Sequence, residues 1–563
     1  MKRISNICLM FSLILLFASC EKVLDKQPLT QFTNDNFWTS EANVKIYANY
    51  FYNEWTGYGN GSGQGVFYYQ TLNDNQVGRS FATFTVNVPA SDGTWSSCYT
   101  EIRRANIMIE KIPGIASMND KAKAHWMGVA RLYRAWQHFC LVRRFGDAVI
   151  VDKNLNIGQD DKEQYLYAAR NNRNDVMDFI LEDLNYAVEN MNQDASSRVA
   201  YNAAVAQAIK SRICLFEGTY AKYHLNDAAR ANTYLAESKK ASEAIMNNSM
   251  YALNDSYRAN YNSADLKGNN EMILYKQYIK SVLGHSLISY VCSSTQIHGL
   301  SKAAFDAYLF TDGLPKATTT LDNTDRGIAN AEGRIDIQNL LDVRDPRLAE
   351  SIDSVLLYNG NGYIRYGAGM ASTSSSGYGV MKFDNPVFPT AERNQSGSSN
   401  HTDAPIFWLA EILLNYAEAC AEMGNCTKAD LDKSVNLLRA RVGMPDMSVT
   451  PVADPANNMG VSDLIWEIRR ERRVELMFDL EDRYWSLIRW KQLDKLDNGK
   501  YPDQTKGAWI GDIKADQVTV DENGYIDGSF DMIRTFEDKY YLQPIPSGQL
   551  DLNPALGQNP GWN

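Results

Sequence analysis

Residues 463–490, which include the sequence EIRRERRVELMFDLEDRYWSLIRW at 467–490, form the stretch around which the rest of this chain is organised. Apolar residues recur there at spacings that keep them on one face of a helix. These residues are Leu464, Ile468, Leu476, Leu480, Tyr484 and Leu487. The spacing predicts a helix over residues 463–490.

Charged residues interrupt this apolar stripe at Arg472 and Glu475. An Arg three residues from a Glu on a helix can form an ion pair with it. The guanidinium group of Arg is also suited to bidentate hydrogen bonds with a buried carboxylate. One interpretation makes Glu471 and Glu475 catalytic acids or metal ligands, and the other makes them an ion network that fixes how helices dock. We favour the ion network, because guanidinium partners along the helix favour the ionised acids and suit neither proton donation nor metal binding.

The composition restricts the class of partner. The chain has 563 residues and a formal net charge of −11, which argues against a nucleic-acid partner and provides no basic stripe for a membrane. It also has 32 Tyr and 11 Trp residues, a surplus that suits a surface on which ligands stack.

The N-terminal residues are typical of an export signal. Two basic residues precede an apolar run at Ile7–Ala18, which is too short to span a bilayer, and a small pair then precedes Cys20. We expect a signal peptide at residues 1–19, a lipid on Cys20 and an extended tether at residues 20–40. An ordinary secretory signal with an incidental cysteine is the alternative.

The cysteines outside this leader are expected to be buried small hydrophobic residues rather than zinc ligands or a disulfide framework, since none forms a C-x-x-C pair. They are Cys98, Cys140, Cys214, Cys292, Cys420 and Cys426. A Cys420–Cys426 bridge is the alternative.

Helical patterns dominate from about residue 120 to 247. Apolar faces recur in successive segments, Asn174 is a candidate N-cap, and the Ala-rich segment at 201–220 lets helices approach closely. The patterns fade between about 285 and 404, where turn residues and tyrosines dominate, and return at 409–442. Paired helices suggest tetratricopeptide-like packing, and a right-angled bundle is the alternative.

Several separated motifs resemble one family. The segment 467–490 resembles the signature helix of the SusD/RagB family of nutrient-binding lipoproteins of the Bacteroidetes outer membrane. Other matching positions are Asp25, Pro28, Phe37, Trp38, Trp95, Tyr99, Ile102, Asn106, Phe310–Pro315, Arg344–Leu348 and Asn553–Trp562. The matches cover nearly the whole chain.

The resemblance implies a mainly α fold, a tetratricopeptide-like scaffold of helical pairs with a loop-rich ligand-binding face. We expect one unit over residues 41–563. Its helical scaffold would take about 41–285 and 405–496, and its loop-rich face about 286–404 and 497–563.

Signatures of catalysis and cofactor binding are missing from the sequence. The six histidines are scattered without metal-ligand spacing, and G-x-S-x-G and Walker A motifs are absent. The glycine-rich segment at 57–65 does not fit a phosphate-binding loop. We therefore expect no enzyme activity, cofactor or metal, although paired carboxylates for glycoside cleavage depend on the fold and stay open.

The resemblance implies a surface lipoprotein that captures an oligosaccharide, or in some members a peptide, and delivers it to a SusC-type TonB-dependent transporter. By residue type and location, the candidate ligand-binding residues lie in two loop regions. They are Trp55, Tyr58, Asp74, Arg79 and Trp95 in the first, and Tyr363, Arg365, Tyr366 and Tyr378 in the second. A packing role is the alternative for each, and a glycoside hydrolase or a purely structural interaction protein is the alternative for the whole chain.

Overall fold

The structure is a computed structural model. It describes residues 37–61, 65–68, 72–155, 163–292, 298–358, 373–394, 399–511 and 518–562. Cys20, most of the expected tether, and the candidates Tyr363, Arg365 and Tyr366 lie outside the described residues.

The first half of the chain is helical, and five of its helices have 18 or more residues. Its helices are α1 Glu41–Ala48, α2 Gly93–Lys111, α3 Asp120–Phe145, α4 Glu163–Leu166, α5 Arg173–Asn190, α6 Ala203–Tyr220 and α7 Ala228–Met246. Helix α3 ends where predicted, at Gly146, whose φ of +76° is available to glycine at little cost. The predicted cap of α5 was wrong by two residues, since Asn172 and not Asn174 caps that helix.

Neighbouring helices in this half pack as close antiparallel pairs. The hydroxyl groups of Ser211 on α6 and Ser242 on α7 lie 2.7 Å apart. A Cβ at Gly218 would lie 2.7 Å from Leu235 Cγ, so only glycine allows this approach. On the α3–α5 pair, Arg134 donates to both oxygens of Asp183 at 2.8 and 2.9 Å. The predicted tetratricopeptide-like scaffold of helical pairs is confirmed.

The second half has shorter helices. They are α8 Ala259–Asn262, α9 Leu287–Cys292, α10 Lys302–Phe305, α11 Gln338–Leu341, α12 Pro346–Ser351, α13 Thr390–Asn394, α14 Leu409–Glu422, α15 Lys428–Asp432, α16 Val435–Arg441, α17 Asp463–Glu475, α18 Asp482–Arg489 and α19 Ser547–Leu552. Helix α14 packs on α7 and α17, which joins the two halves of the scaffold.

Strands are short and occur in antiparallel pairs. They are β1 Gln76–Val77, β2 Met272–Lys276, β3 Gly299–Leu300, β4 Ile328–Ala329, β5 Ile335–Asp336, β6 Ala404–Trp408, β7 Lys506–Trp509 and β8 Tyr525–Asp527. The pairs are β1–β3, β2–β6, β4–β5 and β7–β8. The β2–β6 pair brings Met272 opposite Trp408, beside the start of α14.

The predicted single helix over 463–490 was wrong, because the chain breaks between α17 and α18. Phe478, Leu480 and Glu481 have φ values of 71°, 52° and 58°, in the left-handed region that ends a right-handed helix. Met477 and Phe478 are buried at this break. Burial of these side chains favours the turn over continued helix.

The acids of α17 form the expected ion network, but their partners come from other elements. Arg347 of α12 bonds Glu471 at 2.7 Å and Glu475 at 2.8 Å. Arg439 and Arg441 of α16 bond the same two acids at 2.8 and 2.5 Å. The expected pairing along the helix was therefore wrong for both Glu471 and Glu475, because each is buried against α12 and α16, which supply the arginines.

Burial alone would raise the pKa of Glu471 and Glu475, but the guanidinium groups of their partners lower it. These acids are therefore held ionised and hydrogen-bonded inside the protein. This arrangement supports the structural interpretation of the pair, because neither acid has a proton to donate.

The C-terminal tail packs on the first helices. Arg170 donates to the Leu556 carbonyl at 2.7 Å and to Asn559 Oδ1 at 2.8 Å. The Asn559 amide in turn donates to the Phe145 carbonyl at 2.9 Å. Hydrogen bonds thus hold the C-terminal tail against the end of α3 and the segment before α5.

The six cysteines in the described residues carry free thiols, including Cys420 and Cys426, so the bridge kept as an alternative is not formed. Five of the six are buried, as expected, and Cys426 is half-buried. In the part of the chain that the structure describes, no helix has the length and apolar character needed to cross a membrane.

Candidate functional site: a pocket on the loop-rich face

The two predicted loop regions meet in the structure. Strand β1 of the first region pairs with β3, and Gly299 of β3 also bridges to Gly379 beside Tyr378. The C-terminal hairpin joins them, since the Ala508 amide donates to the Ser376 carbonyl at 2.7 Å. The loop-rich face is therefore built from three separate parts of the chain.

A cavity of about 620 Å³ opens on this face, and we call it the loop-face pocket. Its volume lies within the usual range for small-molecule sites. Its walls come from four parts of the chain, namely Asp74, residues 303–317, residues 454–483 of the α17 region, and residues 495–504.

Two aromatic rings line the loop-face pocket, and both are half-buried. The Trp466 indole of α17 donates to Asp454 Oδ2 at 3.3 Å, which fixes its orientation. The Tyr501 hydroxyl accepts from Lys495 Nζ at 2.7 Å. Each ring is thus anchored by its polar atom, and such rings are suited to contact with the apolar face of a ligand.

Among the candidates that the structure describes, Asp74 alone lines the loop-face pocket. Both of its oxygens accept from Arg483, at 2.6 Å each, and Arg473 Nη2 lies 3.3 Å from Oδ2. Burial alone would raise the pKa of Asp74, but these two guanidinium groups hold it well below its usual range. Asp74 is thus an ionised acceptor at the floor of the pocket.

Three of the predicted aromatic residues are packed inside the protein. The Tyr58 hydroxyl donates to the Tyr261 carbonyl at 2.8 Å, and its ring is fully buried. The Tyr378 ring stacks on Phe305 with centroids 4.8 Å apart and is also buried. Trp55 packs between other rings and donates to the Tyr201 hydroxyl at 2.8 Å. In this conformation Tyr58 and Tyr378 offer no ring face to a ligand, because core packing covers both.

Two predicted residues lie elsewhere. Trp95 is buried at the start of α2 and lines a different cavity of about 600 Å³, together with Tyr99 and Tyr165. Arg79 is exposed and does not line the loop-face pocket. The structure therefore brings only Asp74 of the described candidates into this pocket.

Sequence reasoning missed Trp466, Arg473, Arg483 and Tyr501. One signal was available for the arginines, because residues 467–475 contain four Arg and three Glu. This helix has more Arg than Glu, and two of its Glu residues pair with arginines of other helices. Some of its own guanidinium groups are therefore available to line another surface, such as the pocket. Trp466 and Tyr501 carried no comparable signal.

Among the described residues, no group of three or more His, Cys, Asp or Glu side chains is arranged to hold a metal ion. The acidic side chains in the pocket wall are instead paired with Lys or Arg. Asp306 and Asp503 each lie 2.8 Å from Lys302 Nζ, and Asp454 pairs with Arg470.

Comparison with known proteins places these features in a family. The model of the SusD family matches residues 242–562, which is more than half of the chain. A second family model, described as starch-binding and associating with the outer membrane, matches residues 17–215. Both matches agree with the motifs noted in the sequence.

Relatives and solved structures show the same likeness. A SusD-like protein of Bacteroides ovatus is 29% identical over 223 residues, which cover 38% of this chain and 39% of that protein. The SusD-like protein P38 of Formosa agariphila is 22% identical over 520 residues, which cover 87% of this chain and 92% of that protein.

A crystal structure of a SusD-like carbohydrate binding protein from Bacteroides fragilis superposes with a TM-score of 0.69 at 21% identity, covering 92% of this chain and 99% of that one. A structure with xylogluco-oligosaccharide superposes with a TM-score of 0.57 at 20% identity, covering 83% of this chain and 87% of that one. The solved structures share the fold, and the family model identifies the relationship: this chain belongs to the SusD family.

Proposed function

We propose that this protein is a non-catalytic, lipid-anchored binding protein that captures oligosaccharides outside the outer membrane and delivers them to a SusC-type TonB-dependent transporter. The observation that carries the proposal is the loop-face pocket, in which two anchored aromatic rings stand beside hydrogen-bonding side chains. Sugar rings have apolar faces that pack on aromatic rings, and hydroxyl edges that need polar partners.

Family membership supports the ligand class. One matching family is described as starch-binding and associating with the outer membrane, and one structural neighbour is described with xylogluco-oligosaccharide. A peptide ligand is the alternative within the same family. A glycoside hydrolase is the alternative from another class.

The pairing of the acids supports a binding role over hydrolysis. The acidic residues that line the pocket among the described residues are Asp74, Asp306, Asp454 and Asp503. Each lies within 4 Å of a Lys or Arg nitrogen. Hydrolysis of a glycosidic bond needs one carboxyl group that is protonated, whereas a cationic neighbour favours the ionised form.

Replacing Trp466 and Tyr501 together with Ala is expected to weaken binding of an oligosaccharide by tenfold or more, because two buried ring contacts are lost. The double variant and the wild type would be titrated calorimetrically with a panel of oligosaccharides and peptides, with chromatography of each mixture to detect cleavage. Circular dichroism would verify that the variant is folded.

The matched control is Tyr167→Ala, which removes a ring that is 62% exposed and lines the cavity beside Trp95. Unchanged affinity in the double variant together with loss in Tyr167→Ala would move the site to that other cavity. Products released from the oligosaccharide would show an enzyme, and binding of peptides alone would favour the alternative ligand.

Lipid attachment is tested at Cys20, which lies outside the described residues. We expect Cys20→Ala to shift the protein from the membrane fraction to the soluble fraction, because one acyl-bearing residue supplies the membrane anchor. Immunoblots of fractionated cells would measure the shift, with Cys426→Ala as the control. A Cys20→Ala protein that stays with the membrane would contradict the anchor.

A further inference from the structure

The charge of the loop-face pocket differs in sign from that of the chain. Seven basic and four acidic side chains line it among the described residues, although the chain has a formal net charge of −11. Most of these basic residues have an acidic partner of their own, since Lys316 pairs with Asp325, and Lys495 and Lys500 lie 3.7 and 3.8 Å from Asp494 and Asp497. Arg469 bonds Glu422 at 3.0 Å, and Arg470 pairs with Asp454 and Glu467.

The excess of positive charge lies at the floor of the pocket, which we define by Asp74, Arg473 and Arg483. There the two guanidinium groups share the single carboxylate of Asp74. Arg483 holds both oxygens of Asp74 at 2.6 Å. Arg473 is left with the more distant contact of 3.3 Å to that carboxylate, and its shorter bonds go to neutral oxygens. These are Asn75 Oδ1 at 2.7 Å and the Asp74 carbonyl at 2.9 Å.

A third guanidinium group, that of Arg534, contacts a residue of the pocket wall. Arg534 is buried and donates to three neutral oxygens: the Leu496 and Ala82 carbonyls at 2.6 and 2.9 Å, and Oε1 of Gln504 at 2.6 Å. Gln504 itself lines the pocket. Asp497, whose charge acts on Arg534 less strongly than that of Asp74, accepts from the Gly499 and Phe536 amides and lies 3.8 Å from Lys500.

Neutral oxygens solvate a cation but do not cancel its charge, so the floor stays positive. Burial lowers the pKa of Arg473 to about 10 and that of Arg534 to about 10, while Asp74 opposes the shift in both. Arg483 and Arg470 add to the lowering at Arg473, as expected for guanidinium groups that repel one another. An anion at this position would relieve that repulsion.

We infer that the loop-face pocket selects acidic oligosaccharides, with Arg473 receiving a carboxylate or sulfate group of the sugar. The inference rests on the proposed function and narrows its ligand class. Nε and Nη2 of Arg473 already donate to Asn75 and Asp74, so Nη1 is the nitrogen that would donate to an oxygen of either anion. Trp466 and Tyr501 on the same pocket would contact the sugar ring that carries the anion.

The test uses the full-length mature protein and titration calorimetry at low and high salt. The probes are trigalacturonate, a sulfated galactotriose, neutral galactotriose and sodium sulfate. We expect at least tenfold tighter binding of one acidic trisaccharide than of the neutral one, and weaker binding at high salt. Comparing trigalacturonate with the sulfated sugar separates the two sources of the anion.

Arg473→Gln is expected to remove most of the preference for the acidic sugar, and Arg473→Lys to restore part of it. Lys500→Gln, at a rim position whose side chain is 60% exposed, is expected to reduce acidic binding without affecting folding. The matched control is Lys428→Gln on α15, whose side chain is 71% exposed and lies away from the pocket.

Equal binding of the neutral and acidic trisaccharides, or an unchanged preference in both Arg473→Gln and Lys500→Gln, would overturn the inference. The proposed function would survive that result if binding still depended on Trp466 and Tyr501. Absence of binding to every sugar in both experiments would remove the proposed function, and the inference with it.

Discussion

Replacing Arg347 with Met is expected to lower the free energy of unfolding by about 3–5 kcal/mol, the usual cost of removing one partner from a buried ion pair. Arg347 is buried and contacts three acids: Asp345 at 2.7 Å, Glu471 at 2.7 Å and Glu475 at 2.8 Å. Met replaces the aliphatic part of the Arg side chain and lacks the guanidinium group, so the main loss is the charge and its hydrogen bonds. Denaturant unfolding at pH 7 would measure the change.

The control for this variant is Lys428→Met, which removes one member of an exposed pair with Asp432. Surface pairs contribute only about 0–1 kcal/mol, so little change is expected there. Equal effects of the two variants would show that the buried network does not stabilise the fold. A folded but unstable Arg347→Met protein that still bound sugar would separate this network from the ligand site.

Replacing Glu418 with Gln is expected to cost about 3 kcal/mol at pH 7 and much less near pH 3. Glu418 accepts from Arg472 and Arg489 at 2.9 Å each and from the Trp490 indole at 2.6 Å. Burial alone would raise its pKa, but the guanidinium groups of Arg489 and Arg472 lower it from 4.5 to about 2. A shift of this size corresponds to roughly 3 kcal/mol of stability.

The sign of the pH dependence follows from this lowered pKa. The stability that Glu418 contributes is fully present above the unfolded pKa of 4.5 and is lost as the pH falls towards the folded pKa of about 2. Unfolding of wild type and variant at pH 7 and pH 3 would measure the difference. Glu110→Gln, at a surface pair 2.9 Å from Lys111, is the control and should change stability by less than about 1 kcal/mol at either pH. A stability difference for Glu418→Gln that is the same at both pH values would rule out ionisation as its cause.

The helical scaffold could be predicted from the sequence because its signals are local. The face that contains Trp136 and the stop at Gly146 are both visible within one helix length, and α3 has the expected end. The break after Glu475 had no such signal, since residues other than glycine adopt its left-handed conformations. Tertiary packing of Met477 and Phe478 decided that conformation.

The candidate site could be predicted only in part, for a related reason. Asp74 was chosen as a polar residue of a loop, but its partner Arg483 lies 409 positions away, and spacing cannot reveal such a pair. Tyr58 and Tyr378 have the residue type of a sugar-binding surface, yet both are buried, because the same rings also suit a core. Residue type and loop location do not distinguish these two uses of an aromatic ring.

The hydrogen bonds between Arg170 and the C-terminal tail have a consequence for the order of assembly. Arg170 and Asn559 are 389 positions apart, so joining them requires closure of a loop that spans more than two thirds of the 563 residues. Contacts of such long range form slowly and late. A nascent chain that lacks residues 556–559 therefore leaves Arg170 and the Phe145 carbonyl without these partners, so the native contacts there form only after that segment has been synthesised.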